Sequence, residues 1–523
     1  MPKISIDGRE VEVDAGATIL DAARKLGVNI PTMCHLRGHE AMTSCMVCVV
    51  KVPGMNGLVP ACGTIAEDGM QVDSDSEEVL DARKAALELL LSDHVGDCVG
   101  PCQMGCPARM NIPRMIRQIA AAEPREALVT VKHDIALPAV LGRICPAPCE
   151  KVCRRKQHDA AVSICLLKRY VADVDLQSDW PYLPQCRQKC GKRVAIIGAG
   201  PAGLAAAYYL QQDGIECTVF EDHEGAGGML RYGVPEEDLP RDVLAAEIAT
   251  IERLGVTFRF DTRVGESISM DDLRRDFDAV FIATGELKPD DAERLGVEAS
   301  SDGIKVNSRT GATNVPGVFA GGDAIRNRRL AVRSVADGKE AAESIRQYLA
   351  GEAVTGPARI FNSRMGKLED GEMDLFLAAA EAGTRQKPSD SAGGFSEKEA
   401  HAESLRCLHC DCRKPASCLL RQYAQACDAR QTRYKADRRR FVQHTQHPDI
   451  LYEPGKCIDC GICIRIASQA GEKLGLTFVG RGFDVRMAVP FDASLAEGLQ
   501  VAAAQCVQAC PTGALAFRSE PRP

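Results

Sequence analysis

Cysteines dominate the chemistry available to this chain: 24 stand among 523 residues, and most fall in close groups. Cys34, Cys45, Cys48 and Cys62 are spaced Cys-x10-Cys-x2-Cys-x13-Cys, four thiolates of the kind that hold a [2Fe–2S] cluster. The Cys-x2-Cys pair would also admit a zinc knot. Cys98, Cys102, Cys106, Cys145, Cys149, Cys153 and Cys165 follow. Cys407, Cys410, Cys412 and Cys418 form a Cys-x2-Cys-x-Cys-x5-Cys run suited to one [4Fe–4S] cluster, with zinc again the competitor. Cys457, Cys460, Cys463, Cys506 and Cys510 come last. In a short secreted chain such a count would indicate disulfides. In a long chain with clustered spacing it indicates oxygen-sensitive metal clusters and a reducing, cytoplasmic setting.

A second chemical feature is Gly198-Ala-Gly200-Pro201-Ala202-Gly203, set between a β-branched strand at 192–197 and an Ala-rich helix. Glu221 stands eighteen residues past Gly203, at the end of a second strand, ECTVFE. Strand, glycines, helix, strand and terminal acid in register form a dinucleotide cradle. The glycines let the backbone approach a pyrophosphate at the helix N-terminus, and Glu221 accepts from the ribose hydroxyls.

The remaining elements position these groups. Residues 3–13 alternate apolar and polar residues about Asp7-Gly8, a hairpin signature. Thr18 and Asp21 cap a helix running to Leu26. Cys165 lies on a helix VSICLLKRYVAD, one turn before Lys168. Residues 384–394 read as part of a linker, taken to span 356–400. The run from Arg430 to Arg440 holds six basic residues against the single acid Asp437, either a solvated helix or a docking face for an acidic partner.

Hydrophobic residues at 45% and charged residues at 26% exclude wholesale disorder. Aromatics at 5% argue against stacking platforms for single-stranded nucleic acid. Net charge is −8, and the first 97 residues alone carry 16 acids against 8 bases, so nucleic-acid binding has no electrostatic support. No secretory signal opens the sequence, and the apolar stretch 194–210 is too interrupted by glycine and proline to be an integral membrane segment.

Several stretches resemble known families. IPTMC, SCMVCVVKV and LVPACGT look like the first domain of the large iron–sulfur subunit of complex I, which also opens many [FeFe] hydrogenases; this implies a β-grasp ferredoxin fold holding [2Fe–2S] over residues 1–90. GCPARMNIPRMI and GRICPAPCEKVC resemble the helical domain of the glutamate synthase small subunit and of dihydropyrimidine dehydrogenase, which carries two [4Fe–4S] clusters; here it would span 91–185. The resemblance assigns Cys98, Cys102 and Cys153 to one cluster and Cys106, Cys145 and Cys149 to the other. Each set lacks one ligand. His94 is the candidate for the first, since a His in a similar SDH motif ligates a cluster in the complex I relative; Cys165 is the candidate for the second.

GAGGMLRYGVPEEDLP, AVFIATG and NVPGVFAGGDAIR resemble the FAD domain of the glutamate synthase small subunit, placing an FAD-binding Rossmann-like domain at 190–355. That resemblance adds Gly228, Leu230, Arg231, Gly285, Gly322 and Asp323 to the flavin contacts. In those relatives a nucleotide domain binding NADPH separates the last two motifs. Here Gly285 and Val315 are only 29 residues apart, so the NAD(P)H domain is missing.

A helical Cys-rich segment is expected at 401–445 and a ferredoxin-like domain at 446–523. KCIDCGICIRIA and CVQACPTGAL resemble a bacterial two-cluster ferredoxin, implying Cys457, Cys460, Cys463 and Cys510 as one set. The second cluster is lost, because Ala467, Gln500 and Ala503 replace its cysteines. Five clusters, one [2Fe–2S] and four [4Fe–4S], then use nineteen cysteines and His94. Cys186, Cys190, Cys217, Cys427 and Cys506 are left over.

The fold class expected is therefore multidomain α/β and α+β. No triad, carboxylate pair or open metal site marks an independent catalytic centre. The expected function is an FAD- and iron–sulfur-bearing electron-transfer subunit whose partner is a hydrogenase-, formate- or aldehyde-oxidoreductase-like subunit, or one that binds NAD(P)H. The alternatives are an NAD(P)H:acceptor oxidoreductase and a non-redox scaffold with structural clusters.

Overall fold

The computed structural model describes residues 1–287, 291–358, 360–378, 380–434 and 438–518. It divides into two compact units: Met1–Val99 with Arg359–Ala378 and Cys410–Pro523, and Gly100–Ala358 with Ala379–His409.

The first unit opens on the hairpin Lys3–Ile6 and Arg9–Glu12, with Ile4 opposite Val11 and both buried. Asp7 and Gly8 turn at φ 51° and 76°, the left-handed pair a two-residue hairpin requires. Strand Gln71–Val72 adds to the first strand in parallel. Helix Ile19–Leu26 starts at a complete Thr18–Asp21 capping box and ends at Gly27, φ 71°. Ile4, Ile6, Ile19 and Leu20 join Cys48 and Cys62 in one apolar cluster. Further along the chain, strands Ile450–Tyr452 and Leu515–Phe517 pair antiparallel beside helices Ile462–Gln469 and Ala503–Ala509.

Two expectations are corrected in this unit. The stretch 356–400 is not bare linker: it carries helix Glu372–Leu377, because Phe376 stacks on Phe441 and buried Glu372 is clasped by Arg438 at 2.6 Å. The basic run forms no helix among its described residues, and two of its charges are spent internally, Arg438 on Glu372 and Arg439 on Asp93. Asp437 lies outside the described residues.

The second unit layers helices on a parallel sheet. Its five strands run Val318–Ala320, Ala279–Ile282, Arg193–Ile197, Glu216–Phe220, Thr257–Arg259. The sheet is buried by helix Pro201–Gln212, which packs on Ala331–Leu349. Gly338 allows the close approach: a Cβ there would stand 2.2 Å from the Ala202 carbonyl. Helix Pro138–Ile144, which Cys145 caps, lies against helix Ile164–Leu176, which carries Cys165. Among the described residues no helix is long and apolar enough to cross a membrane.

One carboxylate joins the helical layer to the dinucleotide layer. Glu247, 3% exposed, accepts from the Ala139 and Val140 amides at 3.0 and 2.9 Å, at the N-terminus of helix Pro138–Ile144. Burial outweighs those donors and pushes Glu247 up to about 7. Its proton is thus held by the folded chain after the unfolded chain has released it, so ionisation costs stability as pH rises from the ordinary glutamate range through about 7. Between about pH 5 and 8, chemical denaturation of the wild type is expected to lose roughly 3 kcal/mol more than that of Glu247→Gln; equal slopes for the two would contradict this.

Candidate redox cofactor sites

The amino-terminal set converges as its spacing implies. Cys34, Cys45, Cys48 and Cys62 are all at most 6% exposed, and Cys48 and Cys62 lie 3.4 Å apart, sulfur to sulfur. The Cys45 thiol donates to Cys34 and holds it down at about 5; Cys62 holds Cys48 at about 7. Buried sulfurs this close, two of them ready to ionise, fit a metal cluster. Arg83 supports the loop from below, both Nε and Nη2 donating to the Val49 carbonyl.

In the second unit Cys106, Cys145, Cys149 and Cys165 gather about Lys168. Cys165 is within hydrogen-bonding reach of both Cys145 and Cys149. Lys168 is 3% exposed; burial opposes its charge, but Cys165, Cys145, Cys106 and Cys149 outweigh burial and raise its pKa above the ordinary lysine value. The sequence placed Lys168 one helical turn past Cys165 but did not show that it sits amid the thiols. Cys102, Cys153 and Cys407 border another part of the same unit's apolar core.

The carboxy-terminal set lines one cavity: Cys457, Cys460, Cys463 and Cys510, with Tyr452, Phe478 and Met487 as apolar walls. Where a second cluster's cysteines would stand, Ala467 and Cys506 are fully buried. The Glu472 carboxylate there accepts from the backbone amides of Gln500, Val501 and Ala502 at 3.0, 2.7 and 2.7 Å, a cap that spacing alone did not reveal.

The grouping of Cys98 differs from the sequence expectation. Asp97 and Asp411 form a parallel bridge, setting Cys98 beside Cys412 in the first unit, whereas Cys102 and Cys153 belong to the second. Burial pushes Cys418 up to about 12, with Cys412, Cys98 and Cys510 adding to the rise. Burial first, then Lys456, push half-buried His94 down to about 3, leaving a neutral imidazole.

The dinucleotide cradle is built in detail. A Cβ on Gly198, φ 102°, would stand 2.5 Å from the Ala283 carbonyl, and one on Gly203 would lie 2.0 Å from the Gly198 carbonyl. Gly200, which precedes Pro201 at the helix start, faces open space with nothing within 4 Å. That is the space a pyrophosphate needs at a helix N-terminus. Glu221, 4% exposed, accepts from the Ala199 amide at 2.6 Å and from His223 at 2.9 Å. Gly228, φ 50°, abuts Gly200; Leu230 is buried; Arg231 donates to the Ala226 carbonyl at 2.7 Å. Gly285 adopts φ 78° in open surroundings. Gly322, φ 69°, presses on Ala202. Asp323 accepts from the Arg328 and Arg329 amides, an internal role the sequence did not suggest. Asp337, also missed, accepts from the Gly322 amide at 3.2 Å, and burial raises it to about 6.

Comparison with known proteins matches this layout segment by segment. Residues 2–77 fit a 2Fe-2S iron–sulfur cluster binding domain, and residues 92–180 fit the dihydropyrimidine dehydrogenase domain II, 4Fe-4S cluster. Residues 196–251 fit an NAD(P)-binding Rossmann-like domain, and residues 233–338 fit the pyridine nucleotide-disulphide oxidoreductase family. The NADP(+)-dependent formate dehydrogenase subunit beta of Moorella thermoacetica is 43% identical over 224 residues, 39% of this chain and 31% of the relative. The NADPH-Fe(3+) oxidoreductase subunit beta of Geobacter sulfurreducens is 42% identical over 207 residues, 39% of this chain and 30% of the relative. The glutamate synthase [NADPH] small chain of Bacillus subtilis is 37% identical over 199 residues, 38% of this chain and 40% of the relative. Over these segments the chain is similar to the glutamate synthase small chain and carries 2Fe-2S, 4Fe-4S and Rossmann-like domains.

The alignments span less than half the length of these relatives. This chain holds between Gly285 and Val315 only helix Asp291–Arg294 and the two-residue strands Ala299–Ser300 and Gly303–Ile304, no βαβ unit among the described residues. The candidate dinucleotide site is the one at Gly198–Gly203, inside the matched Rossmann-like segment. Because Gly200 has ordinary φ and open surroundings, Gly200→Val is expected to keep the wild-type circular dichroism while bound dinucleotide falls about tenfold or more, the equivalent of about 1.4 kcal/mol. Undiminished dinucleotide in the purified variant would show that the pyrophosphate lies elsewhere.

Proposed function

We propose that this chain is the FAD- and iron–sulfur-bearing electron-transfer subunit of a multi-subunit oxidoreductase, carrying one [2Fe–2S] and four [4Fe–4S] clusters. The single observation that carries this reading is the co-occurrence of separate convergent thiol groups with one dinucleotide cradle and no second nucleotide-binding unit among the described residues. The matches to the 2Fe-2S and 4Fe-4S families support it.

Cys34, Cys45, Cys48 and Cys62 hold the [2Fe–2S] cluster. Cys106, Cys145, Cys149 and Cys165 hold one [4Fe–4S] cluster, and Cys457, Cys460, Cys463 and Cys510 another. The remaining two draw on His94, Cys98, Cys102, Cys153, Cys407, Cys410, Cys412 and Cys418. Gly198 to Gly203, Glu221, Gly228, Leu230, Arg231, Gly285, Gly322 and Asp323 shape the FAD site. When bound, flavin exchanges one or two electrons and each cluster one. The protein's own residues bind these groups, exclude water and set the local charge. Lys168 supplies positive charge at one thiol group, and Lys456 at another. The electrons' source or sink is a partner subunit; a formate-oxidising or NAD(P)H-binding partner fits the names its relatives carry.

Two measurements check this reading. Under anaerobic conditions the purified chain should keep its flavin absorbance near 450 nm when given NADH or NADPH alone, and lose it once the co-purifying partner and its substrate are supplied; bleaching by NAD(P)H alone would make the chain a self-sufficient NAD(P)H:acceptor oxidoreductase. Removing the Lys168 charge with Lys168→Met should make one cluster harder to reduce, lowering its midpoint potential by roughly 40 to 90 mV, or about 1–2 kcal/mol for one electron. An unmoved set of potentials would place Lys168 away from any cluster.

A further inference from the structure

The geometry points to a cluster site built across the sequence grouping: Cys98, Cys412 and Cys418 bind one [4Fe–4S] cluster, with His94 as the fourth ligand. The inference rests on the cluster-bearing function proposed above but concerns which residues share a metal site. Spacing assigns Cys98 to Cys102 and Cys153, and Cys412 and Cys418 to Cys407 and Cys410. The pairing of Cys98 with Cys412 opposes that division.

An isolated parallel bridge pairs Asp97 with Asp411, so Cys98 and Cys412, the next residues of each segment, leave it side by side. All three sulfurs are buried, at 8%, 6% and 5% exposure, in the same compact unit. Cys418 begins helix Leu419–Ala426, and its position is fixed where the Leu419 amide donates to the Pro511 carbonyl at 2.8 Å. The Cys412 sulfur lies against Gly513, where a Cβ would come within 2.3 Å of it.

The surroundings suit an anionic cluster. Lys456, 3% exposed, runs between Gly96, where a Cβ would meet its Cε at 2.4 Å, and Gly513, where a Cβ would lie 3.8 Å from its Cδ. Lys414 is tied to the Val507 and Cys510 carbonyls at 2.6 Å each, with Cys418 and Cys412 among its neighbours. The Ser363 amide donates to the Cys98 sulfur at 3.4 Å, the kind of bond that tunes a cluster's potential. His94 enters the same corner: the Val95 amide next to it donates to the Gly455 carbonyl at 2.7 Å, and the Lys456 charge acts on its imidazole. The regrouping leaves Cys102, Cys153 and Cys407 along one apolar cluster of the other unit.

Iron and labile sulfide in the anaerobically purified full chain decide the point. Cys98→Ser and Cys412→Ser should each lose about four of about 18 iron atoms, and the double variant about four again, with the same reduced-state EPR signal missing from all three. A loss of about eight in the double variant, or the absence of two different signals, would overturn the shared site. Retention of the [2Fe–2S] signal shows that each variant folded. A gentler variant guards against misfolding: His94→Cys should keep all the iron and shift the g-values or midpoint of that one signal. A signal unmoved by His94→Cys but abolished by Cys410→Ser would overturn His94 as the fourth ligand.

Discussion

Sulfur atoms crowded together in an apolar interior repel one another once ionised, and such a group is stable only with compensating positive charge among them. This constraint shapes the chain throughout. Each group brings thiols from separate segments into a buried pocket, and two of the groups set an almost wholly buried lysine beside them. Lys168 among Cys106, Cys145, Cys149 and Cys165, and Lys456 beside Cys98 and Cys412, are 3% exposed each. A lysine so buried is itself untenable without anions. Lys168 finds those anions in its thiols, whereas Lys456 shares its charge between the thiols and the buried Glu453 carboxylate.

The same logic separates the parts that carry cofactors from the parts that carry stability. Glu247, Glu372 and Glu472 are carboxylates that accept from backbone amides or a guanidinium; they bind helices and loops together without facing a cofactor site. Gly198, Gly200 and Gly203 divide their labour in a similar way: the first and last permit close packing of strand and helix, and only the middle one opens onto free space.

Local features were readable from the sequence. The Asp7-Gly8 turn, the Thr18–Asp21 cap, the glycine fingerprint and the four-thiol sets of the first and last domains all depend on residues close in the chain or on one well-defined motif. Long-range placement was not readable. Nothing in the spacing of Cys98 and Cys412 reveals that residues 97 and 411 pair in parallel, because their separation in sequence carries no periodic signal. Helix Glu372–Leu377 escaped for the same reason: a six-residue stretch is ordered by Arg438 and Phe441, some 65 residues away. The basic run looked like a free surface because counting charges along a segment cannot show which of them meet a buried acid.

The claim on which the rest depends is that the sulfur groups hold clusters that carry electrons, rather than clusters that merely brace a fold. Quantitative EPR of the anaerobically purified full chain, titrated with dithionite against iron and flavin content, tests it most directly. About five reducible spins per chain, one with the signature of [2Fe–2S], are expected alongside about 18 iron atoms and one flavin. Iron present in that amount but silent at every potential would make the clusters structural and contradict the electron-transfer role.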